Sequence, residues 1–297
     1  DGSPVVRFTG VNVQVVDGSG DTDGSVTGVG NLIVGYNAEV GSDADRRYGS
    51  HNLVVGDGHR YTSFGGLVAG FDNFLTGESA SVSGGSFNTA GGTYASVSGG
   101  TENHASGLYA SISGGYDNGA SGNYSAVSGG TDNIAYQAAS SVSGGVGNSA
   151  NGYGASILGG SGNTVTGAAA TVSGGSFNSA AALYASVSGG TLNIADVEQA
   201  SVSGGSDNTA SGQGSSVSGG SDNTAAALHA SVSGGTLNIA DGEQASVSGG
   251  SDNTASGQGS SVSGGAENLA SGQGTSILGG SKSEASGNHA TVSGGTE

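Results

Sequence analysis

One apolar position recurs every 15 residues along most of the chain, and small polar residues flank it. From Val82 onward each repeat has Val or Ile there, without an insertion. The members of this column are Val82, Val97, Ile112, Val127, Val142, Ile157, Val172, Val187, Val202, Val217, Val232, Val247, Val262, Ile277 and Val292. The repeats lack the i, i+3, i+4 apolar stripe of a helix, whereas polar and apolar residues alternate as in short strands. The spacing therefore predicts an all-β fold, a parallel β-solenoid with 15 residues per coil and about 15 regular coils.

Three further columns stay in phase with the Val column. A Gly pair follows each Val, from Gly84–Gly85 to Gly294–Gly295, and an Ala column starts at Ala90 and is broken at Val165. The third is an Asn column that fails at Ser283; its members are Asn73, Asn88, Asn103, Asn118, Asn133, Asn148, Asn163, Asn178, Asn193, Asn208, Asn223, Asn238, Asn253 and Asn268. Gly and Ser at this level would suggest a disordered segment, but a fixed period excludes that interpretation.

The Asn column has two physical interpretations. Buried Asn side chains can form a ladder by hydrogen bonding to one another and to turn backbone. Alternatively, Asn is accepted in turns because it tolerates positive φ. Asn88 and Ala90 share a face by strand parity, which favours the inward ladder. Either interpretation makes the column structural rather than a ligand site.

The N-terminal quarter departs from the repeat. Pro4–Gly18 alternates like a strand but has no repeat phase, and irregular coils follow at Asn31–Asn37 and Asn52–His59. The expected organisation is an N-terminal strand and cap region over residues 1–30, irregular first coils over 31–66, and a regular solenoid over 67–297. Such a cap is typical of solenoids, whose terminal repeats are atypical.

The cross-section of the coil is expected to narrow where the regular stack begins. The position two after Leu changes from Val34 to Val55, Ala69 and then Gly84. We expect this position to face inward, so that a Gly occupies it in the regular coils. Ala80 is expected to face outward with Ser81 and Ser83, giving a flat outer face.

Charge and composition exclude several classes of partner. The chain has 297 residues and a net charge of −18, with only five Lys and Arg, so nucleic acid and anionic membranes are not expected partners. No apolar run approaches the roughly 20 residues of a membrane span. Residues 176–220 and 221–265 are near-duplicates that differ at four positions, which indicates an adjustable length and favours a fibre or stalk over a catalytic domain.

Few side chains offer chemistry. Tyr94, Tyr109 and Tyr124 occupy one column in consecutive coils, so they could bind sugar rings, or else shield the turns or pack between protomers. Asp17, Asp21 and Asp23 are a weak Ca²⁺ candidate, since no Glu closes the loop; no other metal or cofactor is predicted. The five His residues do not share one column and none belongs to a nucleophile motif, so we predict that the chain is not an enzyme. They are His51, His59, His104, His229 and His289.

The repeat also resembles a known family. The unit SVSGGSDNTASGQGS (Ser201–Ser215) is similar to the head repeat of trimeric autotransporter adhesins, the YadA-like heads, and to related repeat-rich exported proteins of bacteria. Ser81–Gly85 matches the first half of that repeat, Ala90–Gly92 matches the second, and the early NLIVG (Asn31–Gly35) keeps a second apolar residue. Over residues 31–297 the resemblance implies a left-handed β-roll that assembles as a homotrimer on a bacterial surface.

A trimer also has a physical motive, because a coil that buries one Val and one Ala has little apolar area. A single roll held by hydrogen-bond ladders is the alternative. We therefore expect an extracellular or cell-surface, non-enzymatic rod or head of a bacterial fibre or adhesin that displays turn residues multivalently. The expected partners are a host or matrix glycan or protein receptor, and further copies of the chain in a trimer or fibre. Alternatives are a purely structural filament subunit and an ice-binding solenoid that uses the Ser81–Ser83 array.

Overall fold

The protein is a parallel β-solenoid, as the period predicts. The computed structural model describes residues 4–38 and 46–295. In the regular stack each coil advances by 15 residues: Ser81 pairs with Ser96 and Val82 with Val97, both in parallel. Backbone hydrogen bonds join neighbouring coils, among them Ser81 N to Ala95 O at 2.9 Å. Each coil therefore uses the next one as its sheet neighbour.

Two sheets run along the axis. Among the described residues the first sheet has 18 strands, and its regular strands are only two residues long. These strands are Leu32–Val34, Leu53–Asp57, Leu67–Phe71, Ser81–Val82, Ser96–Val97, Ser111–Ile112, Ala126–Val127, Ser141–Val142, Ser156–Ile157, Thr171–Val172, Ser186–Val187, Ser201–Val202, Ser216–Val217, Ser231–Val232, Ser246–Val247, Ser261–Val262, Ser276–Ile277 and Thr291–Val292.

The second sheet has 16 strands within the same described ranges. They are Arg60–Tyr61, Phe74–Leu75, Thr89–Ala90, His104–Ala105, Gly119–Ala120, Ile134–Ala135, Ser149–Ala150, Thr164–Val165, Ser179–Ala180, Ile194–Ala195, Thr209–Ala210, Thr224–Ala225, Ile239–Ala240, Thr254–Ala255, Leu269–Ala270 and Glu284–Ala285. A column of single parallel bridges, such as Ser86 to Thr101, lies between the two strands of each coil. Strands this short leave most of the coil to turns, which is why Gly and Ser dominate the composition.

The interior of a regular coil is narrow and complete within one chain. Val82 is 0% exposed, and Ala80, Asn88 and Ala90 are buried with it. The outward placement of Ala80 is therefore wrong. Ala80 lies two residues before Val82, and residues two apart on a strand share a face. Ser81, between Ala80 and Val82, points away from the core and is half-buried, and Ser83 is exposed.

The expected narrowing at Gly84 is also wrong. The register aligns Val54 with Val68 and Val68 with Val82, so the residue directly after Leu points inward. In the strand Leu53–Asp57, Val54 is buried, whereas Val55, two residues after Leu, is only half-buried. A Cβ atom built on Gly84 would meet only the Ser98 carbonyl oxygen, at 3.8 Å. Gly84 therefore faces outward.

The Asn column forms the inward ladder. Asn88 is 0% exposed, and its Oδ1 accepts the backbone N–H of Asn103 at 3.0 Å and the Nδ2 of Asn103 at 3.1 Å. Its Nδ2 donates to Gly84 O at 3.3 Å and to Gly100 O at 2.9 Å. These bonds use both ends of the amide, so burial leaves no polar atom of the side chain unpaired. Positive φ falls instead on the preceding residue, Phe87, at 58°.

His59 is a rung of the same ladder that the sequence pattern does not show. It is 0% exposed, and its backbone N–H donates to Asn37 Oδ1 at 2.8 Å. Its Nδ1 accepts the backbone N–H of Asn73 at 3.3 Å, and its Nε2 lies 3.0 Å from Val55 O. These partners require the neutral ring with its proton on Nε2, and burial lowers the pKa of His59 below its usual 6.5.

The neutral His59 makes stability depend on pH. Below about pH 6.5 the unfolded chain binds a proton that the folded chain does not, so stability should fall as the pH falls, by at most about 1.4 kcal/mol per pH unit. Asp57 opposes this shift, and Arg47, which donates to His59 O at 3.0 Å, adds positive charge nearby. His59→Asn restores the usual rung and should flatten this part of the profile. Thermal unfolding of both proteins between pH 5 and 7.5 measures the difference; parallel profiles would contradict the assignment.

The segment before the first coil is not the strand that its alternation predicts. Residues 4–31 contain no strand, and Val5 and Phe8 are 76% and 65% exposed. Near its C-terminal end the segment is attached to the solenoid by a hydrogen bond from Thr27 N to Ser50 Oγ at 2.7 Å. Alternation makes a strand possible, but a strand also needs a neighbour for its backbone, and in the described structure pairing starts at Leu32.

Candidate functional site

Each regular coil projects two turn residues in the left-handed conformation. One precedes the ladder Asn and is exemplified by Phe87, with φ 58°; the other lies at the opposite turn and is exemplified by Tyr94, with φ 57°. We call these the Phe87 column and the Tyr94 column. Residues other than Gly and Asn rarely adopt this conformation, yet both columns hold bulky side chains, and the Phe87 column also holds charged ones. The fold therefore places one outward side chain per column and coil in the same geometry.

Most members of the two columns carry large or polar side chains. The non-Gly members of the Phe87 column are Asp72, Phe87, Glu102, Asp117, Asp132, Phe177, Leu192, Asp207, Asp222, Leu237, Asp252, Glu267 and Lys282. Those of the Tyr94 column are His51, Ser79, Tyr94, Tyr109, Tyr124, Ala139, Ala169, Tyr184, Gln199, His229, Gln244 and His289. Three of the five His residues thus share one column, on separate coils.

The three predicted Tyr residues stack on one another. The ring centroids of Tyr94 and Tyr109 are 4.8 Å apart with 11° between the planes, and those of Tyr109 and Tyr124 are 5.3 Å apart with 13°. All three side chains are about half exposed. Because the inner faces cover each other, a ligand can reach the ring edges, the hydroxyl groups and the two end faces of the stack. A sugar therefore cannot lie flat along the row.

The stack stops at Tyr94 because the preceding positions of its column carry small side chains. Tyr94 N donates to Glu78 O at 2.8 Å, and Ser79 N donates to Phe64 O at 2.9 Å in the same pattern. This register places Ser79, and before it Gly65, at the position of a ring. A groove of about 400 Å³ occupies the space. It is lined by Thr22, Asp23, Phe64, Gly65, Glu78, Ser79 and Tyr94. We call it the Tyr94 groove.

The Tyr94 groove is negatively charged. Its lining includes the carboxylates of Asp23 and Glu78 and no Lys, Arg or His. A hydrogen bond with Asp21 and repulsion from Asp21 raise the pKa of Asp23, and the Glu78 carboxylate adds to the increase. The sequence pattern identifies Tyr94 but not Phe64 or Glu78. The sequence signal for a groove is that Gly65 and Ser79, two small residues, occupy the column positions that precede the three Tyr residues.

Asp17, Asp21 and Asp23, the weak Ca²⁺ candidate, are not brought together as a set of metal ligands within the described residues. In the part of the chain that the structure describes, no three His, Cys, Asp or Glu side chains are grouped so that they could hold a metal ion. Asp17 is used locally: its carboxylate accepts Ser19 Oγ at 2.6 Å, Ser19 N at 2.8 Å and Thr27 Oγ1 at 2.9 Å. These hydrogen bonds lower the pKa of Asp17 to about 2. The carboxylate thus stabilises a turn.

His51 attaches that loop to the solenoid. The backbone N–H of Asp17 donates to His51 Nε2 at 3.3 Å, and His51 Nδ1 lies 3.2 Å from Thr22 O. These contacts hold Thr22 and Asp23 over the first coils and so form one wall of the Tyr94 groove. His51 is therefore a positioning residue for the groove.

Neither sequence comparison assigns the chain to a known group. No protein-family model matches it, and no curated protein matches it in sequence. Within residues 4–38 and 46–295 no helix has the length and apolar character needed to cross a membrane.

Proposed function

We propose that the chain is the non-enzymatic rod or head of an extracellular bacterial surface fibre or adhesin, similar in role to the YadA-like heads that its repeat resembles. The observation that carries the proposal is the contrast between uniform buried columns and the two variable turn columns. The Phe87 column alone holds Phe, Leu, Asp, Glu and Lys in one backbone geometry. A ladder of paired coils keeps these side chains about 4.8 Å apart along the axis. Fixed spacing of many weak contacts produces avidity.

The near-duplicate blocks support a display role. Of their four differences, Phe177/Asp222 and Tyr184/His229 lie in the two turn columns. The other two, Ser179/Thr224 and Val197/Gly242, lie outside the buried Val, Ala and Asn columns. The interior has thus stayed the same while displayed side chains have changed, as expected of a surface that presents different contacts on one scaffold.

The adhesive role is tested by a binding screen. The intact protein, in its native oligomeric state, is applied to arrays of glycans and of matrix proteins. A hit that weakens when Tyr109 and Tyr124 are replaced by Ala supports adhesion through the Tyr stack. The absence of binding on both arrays rejects adhesion and leaves the role of a purely structural filament subunit.

We also propose that the chain self-associates as a homotrimer. Because each coil completes its own core, the copies would meet through outer surfaces, and the exposed apolar N-terminal segment is the surface that supports this proposal. Light scattering over a concentration series should give a constant trimer mass, reduced in a variant that carries Val5→Ser, Phe8→Ser and Val11→Ser. A monomer at every concentration rejects the trimer, and open-ended growth replaces it with a fibre.

An ice-binding role is the second candidate because the outer face of the first sheet carries hydroxyl groups in register. Ser141 Oγ lies 3.3 Å from Ser156 Oγ, and Ser261 Oγ lies 3.1 Å from Ser276 Oγ. A flat hydroxyl array of this kind can order water. The test is thermal hysteresis of the purified protein, with a Ser203→Lys variant to disrupt the face. The absence of hysteresis in the unmodified protein rejects this role.

A further inference from the structure

The Tyr94 groove is a gap in an aromatic column. Tyr109 covers one face of Tyr94, and the next two column positions are Ser79 and Gly65. Each coil adds about 4.8 Å along the axis, so the missing side chains leave room for a compact group against the remaining face of Tyr94. Phe64 supplies a second aromatic side chain to the same groove. The groove thus leaves aromatic surface of Tyr94 and Phe64 open to a ligand.

The charge of the groove selects among ligands. Two carboxylates, Asp23 and Glu78, lie in its lining without a basic residue beside them, and the whole chain carries a net charge of −18. An anion is repelled, whereas a cation is attracted both by the carboxylates and by the negative face of an aromatic ring. The chain itself shows this contact in the neighbouring coils, where the guanidinium carbons of Arg46 and Arg60 lie 5.4 Å and 5.3 Å from the Phe74 ring centroid.

We propose that the Tyr94 groove binds a compact organic cation of the quaternary ammonium class, with its methyl groups against Tyr94 and Phe64 and its charge beside Asp23 and Glu78. A quaternary ammonium fits because it needs no hydrogen-bond acceptor in fixed geometry and presents an apolar surface to the rings. The proposal deepens the adhesive function, on which it rests, by naming the chemistry of one displayed contact.

The primary test is calorimetric titration of the full chain with choline and with tetramethylammonium. The neutral isostere 3,3-dimethylbutanol is the matched ligand control. Both cations should bind, and 3,3-dimethylbutanol should bind at least about fivefold more weakly, because it lacks the charge. Equal binding of the neutral isostere, or binding of a neutral saccharide without any binding of choline, overturns the proposal.

Ser79→Tyr fills the groove without removing a charge. Ser79 has φ 52° and Tyr94 has φ 57°, so the backbone at this position already suits Tyr, and the added ring should extend the stack and abolish choline binding. Ala169→Tyr is the matched control, because it adds a ring beside Tyr184 in the same column but far from the groove. Loss of binding in both variants, or in neither, contradicts the assignment to this groove.

Glu78→Gln keeps the test valid if Ser79→Tyr fails to fold. It should weaken choline binding about fivefold, and more strongly at low than at high salt, while Glu198→Gln, in the same column of a distant coil, should not change it. Equal effects of the two variants overturn the proposal.

Sedimentation with phosphatidylcholine vesicles, compared with titration of soluble choline, distinguishes a lipid headgroup from a free cation. Hits on the glycan or matrix arrays with no choline binding would defeat this inference alone. Choline binding with silent arrays would preserve the groove assignment and defeat adhesion to those receptors.

Discussion

Gly205→Ala should destabilise the solenoid by roughly 3–5 kcal/mol, a value found only for severe structural defects. Gly205 has φ +87°, and a Cβ built on it would lie 2.1 Å from Gly220 O and 2.5 Å from Asn208 Nδ2. The left-handed conformation alone costs about 1–2 kcal/mol for a residue with a Cβ. The remainder comes from the clash, because the next coil cannot move away without breaking the hydrogen bonds that join the stack.

The adjacent glycine provides the control. A Cβ on Gly204 would have nothing within 4 Å, and its φ lies outside the left-handed region. Gly204→Ala should therefore change the free energy of unfolding by no more than about 0.5 kcal/mol. Urea and thermal unfolding of the two variants measure the difference, and limited proteolysis locates the weakened coil. Equal stability of the two variants would show that the coils can accommodate a methyl group at Gly205.

Asn223→Ala should have an effect of similar size, about 3–5 kcal/mol. Asn223 Oδ1 accepts the backbone N–H of Asn238 at 3.0 Å, and its Nδ2 donates to Gly219 O and Gly235 O, both at 2.9 Å. The substitution leaves these buried groups without partners, and each unsatisfied group costs about 1–3 kcal/mol. It also interrupts the ladder between the coils on either side, so the loss should be cooperative along the stack.

Asn123→Ala is the matched control, because Asn123 is exposed and its side chain accepts one hydrogen bond, from Leu108 N to Oδ1 at 3.1 Å. Its loss should cost about 1 kcal/mol or less. Chemical unfolding of both variants gives the comparison. If Asn223→Ala is no more destabilising than Asn123→Ala, the ladder is not a main source of stability.

The two predictions bear on the proposed function because they distinguish residues that hold the coils together from residues that are displayed on the surface. Asn223 belongs to a buried column whose side chains join the coils, and Gly205 belongs to a column where the absence of a side chain lets the coils pack closely. Tyr94 and Glu78 belong to columns that tolerate many residue types. A substitution in a display column should therefore change binding at constant stability, whereas a substitution in a scaffold column should change stability first.

The 15-residue period predicts most of the fold. Val82 and Ala90 recur every 15 residues, so parity and spacing alone predict parallel coils with these residues inside. The same parity favours the inward Asn ladder over an exposed turn position, and the burial and hydrogen bonds of Asn88 confirm the ladder. Two positions differ from the expectation. Ala80 faces inward because it shares a face with Val82, and Gly84 faces outward because the register pairs Val68 with Val82 rather than aligning the coils at their Gly residues.

The candidate site was less predictable. The stacking of Tyr94, Tyr109 and Tyr124 follows from one column, but the groove also needs Thr22 and Asp23, which a hydrogen bond between Asp17 and His51 brings to the first coils. His59 replaces Asn as a ladder rung because its Nδ1 accepts the same backbone N–H, an equivalence of hydrogen-bonding geometry that residue names do not reveal.

The repeat, the all-β class and the buried Val and Ala columns follow from the sequence alone, because a fixed period forces equivalent residues into equivalent neighbourhoods. The outward direction of Gly84, the ladder role of His59 and the composition of the Tyr94 groove are visible only in the folded chain. Each of these depends on contacts between segments outside the regular repeat or on the register between unequal coils. Where spacing is regular, neighbours are known in advance; where the first coils differ in length, only folding decides which residues meet.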